Sequence, residues 1–135
     1  MKTINKLALI ALVGSLAGYG IQVIASNYST ASDTISHTGQ GTATEPCGSG
    51  TTLDCAIKRA RADALAQLVE YCPDYKRDHG DCELDCDPDP FLYADLDEST
   101  VTYEVLKRTA LSGGGVKVTV KATGKCYCVC QKDAL

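Results

Sequence analysis

Eight cysteines constrain this 135-residue chain more than any other feature: Cys47, Cys55, Cys72, Cys82, Cys86, Cys126, Cys128 and Cys130. The last three alternate with other residues, so on a strand all three sulfurs project from one face. Side chains two apart on a strand are too widely set for an easy mutual bridge. Each therefore needs a different partner among Cys47, Cys55, Cys72, Cys82 and Cys86, and the two left over would bond each other. C-x-C repeats also suit a thiolate cluster for a soft metal such as Cu(I) or Zn. No C-x-x-C pair and no adjacent histidine support that reading. An even set of cysteines following an export-like N-terminus reads as a disulfide framework in an oxidising compartment.

That N-terminus carries Lys2 and Lys6, then an apolar run from Leu7 to Ala25. A basic start, an apolar middle and the small-residue site Val23-Ile24-Ala25 describe a secretory signal over residues 1–25. Nineteen residues also approach the ~20 that span a bilayer, so retention as an N-terminal membrane anchor is the alternative. Either way, the remainder is expected outside the cytoplasm, secreted or periplasmic.

Residues 26–46 are rich in Ser, Thr and Gly, with Tyr28 and Ile35 the only large apolar side chains. So little apolar surface predicts a flexible tether ahead of a cysteine-rich domain over 47–135. From Leu53 to Tyr71 the pattern is helical. Leu53, Ile57, Ala60, Ala64, Leu68 and Tyr71 form one stripe, Thr51 and Asp54 make a capping box, and Pro73 is expected to end the helix. The small Ala60 and Ala64 predict a close approach to a sheet. Cys55 lies opposite the stripe and is expected to bond a flanking loop cysteine.

The C-terminal third alternates as strands do: Val101, Tyr103 and Val105, then Val116, Val118 and Val120, then Cys126, Cys128 and Cys130. Ser112-Gly113-Gly114-Gly115 predicts the first hairpin turn and Thr123-Gly124 a second. The expected fold is α+β: one amphipathic helix packed on a three-stranded antiparallel meander, stapled by disulfides.

Between helix and strands, residues 73–98 hold ten acids against Lys76 and Arg77, a net charge of −8. Three prolines predict a long acidic loop clipped by Cys82 and Cys86. Within it Asp85, Asp87 and Asp89 have the 1-3-5 carboxylate spacing of a calcium loop. Pro90 stands at position 6 and Leu96 at position 12, so any calcium site is irregular. No other cofactor is indicated.

The formal charge of −4 argues against nucleic-acid binding, which needs a basic footprint. With two histidines, no GxSxG and no phosphate loop, the chain carries no reaction signature and no catalytic residue is assigned. The expected role is a small exported binding or structural domain with a protein or envelope partner. Self-association through an edge strand or the tether is an alternative, as is calcium binding; an enzyme is a third. Membrane contact is expected only if the N-terminal segment is retained.

Overall fold

A computed structural model describes residues 8–9 and 24–134. Most of the expected leader, residues 1–25, lies outside the described residues. Among these, no helix is long and apolar enough to cross a membrane.

The fold is α+β. Strands β1 (Ala8–Leu9), β2 (Ile24–Ser29) and β3 (Asp33–Ala43) precede helix α1 (Thr52–His79) and the one-turn helix α2 (Cys82–Cys86). Strands β4 (Phe91–Ala110) and β5 (Val116–Ala134) complete the chain. All strand pairings are antiparallel, and β5 is the hub: β4 pairs along one side of it, β3 and β2 end to end along the other. The two-residue β1 pairs with Ser26 and Asn27 of β2.

Residues 26–46 are therefore not a tether. They supply β3 and most of β2, and β3 pairs with β5 from Asp33↔Cys126 to Ala43↔Val116. Ile35, Gly39, Gly41 and Ala43 are buried beneath α1, while Thr34, Ser36, Thr38, Gln40 and Thr42 are exposed on the open face. Beyond Ile35 this strand carries no large apolar residue, because the helix leaves no room for one at Gly39 and Gly41. A methyl group on Gly39 would lie 2.6 Å from Ala64 Cα, and one on Gly41 would lie 2.5 Å from the Ala56 carbonyl oxygen. Ala60 and Ala64 thus make the close approach that their size predicts.

Two further expectations are corrected. Thr123-Gly124 is not a turn, because β5 runs unbroken through it. Gly124 is small because Val101, Leu96 and Leu68 occupy the space a side chain would take. The sheet accordingly has five strands, the two-residue β1 included, and its third long strand comes from the N-terminal side instead of from a meander. The hairpin at Ser112–Gly115 forms as expected, with Gly113 and Gly114 at positive φ.

Helix α1 starts at the Thr51–Asp54 capping box and then continues past Pro73 to His79. A mid-helix proline costs about 3 kcal/mol. Anchors on both sides of it offset that cost: Cys72 is bonded to Cys126, and Lys76 Nζ meets Asp33 Oδ2 at 2.6 Å. The buried stripe is Ala56, Ala60, Ala64, Leu68, Cys72 and Lys76, with Leu53, Ile57 and Tyr71 only partly covered at its side. Residues 73–98 are likewise no single loop, being divided among the end of α1, α2 and the start of β4.

Four disulfides form: Cys47–Cys55, Cys72–Cys126, Cys82–Cys128 and Cys86–Cys130. The three strand cysteines each take a separate partner, and Cys55 bonds its loop neighbour. Cys55 is nevertheless buried, at the margin of the main core. The α2 pairing has a metric reason. Four residues of helix rise about 6 Å and two residues of strand about 6.8 Å, so Cys82 and Cys86 fall over Cys128 and Cys130. These two bridges, flanked by Tyr28 and Phe91, form a second small core.

Valine has the higher strand propensity, yet Gly39→Val is expected to destabilise the oxidised protein by about 3 kcal/mol through overpacking against α1. Thr38→Val, one residue away on the open face, should change stability by less than about 0.5 kcal/mol. Denaturant unfolding of both variants checks this, and a gain from Gly39→Val contradicts the packing described.

Candidate functional site

A cleft lies where the end of α1, α2 and the first residues of β4 converge. Pro73, Lys76 and Arg77 form one wall, Gly80 to Glu83 the second, and Phe91 to Ala94 the third, around a cavity of about 520 Å³. The Cys82–Cys128 bridge fixes α2 against the sheet, so the walls are held covalently. Asp81 caps α2 by accepting from the Leu84 N–H at 3.1 Å.

The cleft's cations are engaged elsewhere. Lys76, 3% exposed, is held by Asp33, and Arg77 lies 3.3 Å from Asp74 and 3.5 Å from Asp78. The carboxylates of Asp81 and Glu83 form no ion pair among the described residues. Leu92 and Tyr93 remain 39% and 49% exposed at the rim. The cleft is thus an apolar trough with uncompensated negative charge on one wall.

Asp85, Asp87 and Asp89 occupy three different settings. Asp85 is inside α2, Asp87 is its C-terminal cap, and Asp89 accepts a 2.6 Å hydrogen bond from the Tyr28 hydroxyl. Among the described residues, no group of three or more His, Cys, Asp or Glu is placed to hold a metal ion. All eight cysteines are in disulfides, so none is left for the thiolate cluster.

The Tyr28 bond to Asp89 holds the phenol neutral, and burial and the Asp89 charge add to it, pushing its pKa up to about 12. Tyr127 on β5 is also pushed up to about 12, by burial first and then by the charge of Asp95. Its hydroxyl donates to Asp95 Oδ2 at 3.4 Å.

The chain matches no protein-family model, no curated protein and no solved structure.

One arrangement was hidden by the tether reading. His37 on β3 packs edge-on against Tyr71 at 5.3 Å, Tyr71 against Tyr75 at 5.9 Å, and Tyr75 stacks on His79 at 4.6 Å. Both histidines of the chain thus end an aromatic ladder along α1. The four-residue spacing of Tyr71, Tyr75 and His79 was a readable signal; His37 had none, because its strand was not foreseen.

Two measurements test the electrostatics. Tyrosine absorbance should show a late component near pH 12 from Tyr28 and Tyr127, and Tyr28→Phe should remove its share of that component. Because folding raises these values, the stability they contribute is present below about pH 10 and lost as pH rises through about 12. Separately, Asp33→Asn should cost about 2 kcal/mol by leaving the buried Lys76 charge uncompensated. Lys76→Met should cost less, since it removes charge and donor together.

Proposed function

We propose that the chain is an exported, disulfide-stapled binding module whose cleft takes an apolar, positively charged segment of a protein partner at the cell envelope or outside the cell. The carrying observation is the trough beside Leu92 and Tyr93, with the unpaired carboxylates of Asp81 and Glu83 on its wall. Apolar rim residues supply burial, and the acids select for Lys or Arg on the partner. The −8 balance of residues 73–98 surrounds the cleft with the same sign of potential.

Export is supported by the apolar stretch that ends at Ala25 and by four disulfides, which fit an oxidising compartment. In this reading residues 1–25 direct export, and their retention would tether the module to a membrane. No catalytic step is assigned to the cleft.

A peptide of alternating Arg and Leu is a suitable probe, with a Glu/Leu peptide of equal length as its control. Nuclear magnetic resonance titration should shift the amides of residues 80–83 and 91–94 with the basic peptide only. Glu83→Gln and Leu92→Ser should each weaken binding about fivefold to tenfold, roughly 1–1.4 kcal/mol. Equal binding of both peptides, or shifts confined to other surfaces, counts against the cleft.

A further inference from the structure

The two outer edges of the sheet are treated differently. On β3, α1 occupies edge groups: Arg59 Nη1 donates to the Thr42 carbonyl at 2.8 Å, and the Gln40 N–H donates to Asp63 Oδ2 at 2.9 Å. Such capping blocks the addition of another strand. On the far side, among the described residues, β4 pairs only with β5. Among the described residues, no side-chain hydrogen bond reaches the backbone of residues 101–110. Among the described residues, nothing pairs with or caps this long edge.

Its residues are complementary to themselves. Reading Thr102-Tyr103-Glu104-Val105 against Leu106-Lys107-Arg108-Thr109 in the opposite direction sets Glu104 against Lys107, Tyr103 against Arg108 and Thr102 against Thr109. Self-pairing of this kind requires both members of each pair to lie on one face. In a regular strand they would not, because residues an odd number apart point to opposite faces. The register shift between Val105 and Lys107 resolves this. Glu104 and Lys107 oppose Lys121 and Thr119, and Thr102 and Thr109 oppose Thr123 and Lys117, all on the open face. Tyr103 and Arg108 oppose Ala122 and Val118, on the helix face.

The charges are also available. Neither Lys107 nor Arg108 has a carboxylate partner among the described residues, and Glu104 reaches Lys121 only at 3.8 Å. Arg61 covers one face of the Tyr103 ring at 5.0 Å, leaving the other for a second guanidinium. Leu106, 47% exposed, stands at the centre of the pattern.

We propose that a second copy of this chain occupies the free edge of β4, antiparallel about a two-fold axis between Val105 and Leu106. The result is one sheet continuous through both protomers, with both long helices on the same face. The interface is isologous, so it closes at two copies and does not propagate. It uses the opposite end of β4 from the cleft and stands independently of the peptide-binding reading.

Sedimentation equilibrium of the oxidised protein should show a dimer. Glu104→Lys and Lys107→Glu, made singly, each convert two symmetry-related opposite-charge pairs into like-charge pairs. Each should weaken dimerisation about tenfold. Both changes together should restore it, which a variant that had merely lost its fold could not do. Intact mass of each variant, eight hydrogens below the reduced form, verifies the four bridges. A monomer at several hundred micromolar overturns the proposal. A dimer indifferent to both reversals, or one not restored by the double change, overturns it too.

Discussion

The backbone of α1 rests on the backbone of β3. Gly39 and Gly41 on the strand meet Ala56, Ala60 and Ala64 on the helix, with no side chain larger than a methyl between them. Contact this close buries little apolar area per residue, so large hydrophobic side chains are not what holds the centre of the molecule. Dense packing at short range contributes dispersion, and the four bridges restrict the unfolded chain. Leu68, Val118 and Val120 supply the larger apolar volume beside this seam. The position of the helix then determines the rest: Arg59 and Asp63 reach the β3 edge, Cys72 reaches Cys126, and Tyr71 reaches His37.

Much of this was legible because it is local. The capping box, the Gly113–Gly114 turn and the alternation of Val116, Val118 and Val120 depend only on neighbouring residues. The three separate partners of Cys126, Cys128 and Cys130 followed from strand geometry alone. What escaped was non-local. A run of Ser, Thr and Gly looks disordered by composition, and only the presence of a helix at backbone distance turns its glycines into a packing requirement. Pro73 and Gly124 misled for a related reason: each is a breaker by local rule, and each is overruled by tertiary anchors on both sides.

The candidate site was legible in part. The acidic segment is suspect from its charge and prolines, yet sequence could not show that α1, α2 and β4 would divide it and leave a trough between them. Nor could the acids be sorted. Asp89 is engaged by Tyr28, Asp81 caps a helix, and Glu83 lines the trough with no ion pair among the described residues, although all three look alike in sequence. The basic residues of β4 were equally silent until its register with β5 was known.

The hub strand follows in the chain every element that pairs with it. Every other element of the sheet except β1 pairs with or through β5, and three of four bridges end within Cys126–Cys130. As the polypeptide emerges from its N-terminus, β2, β3, α1 and β4 have no central partner, and Cys72, Cys82 and Cys86 have no correct sulfur to meet. Closure of the sheet therefore waits for β5. A chain cut before Cys126 forms only the Cys47–Cys55 bridge and leaves the sheet unclosed, so β5 is the clasp on which the fold depends.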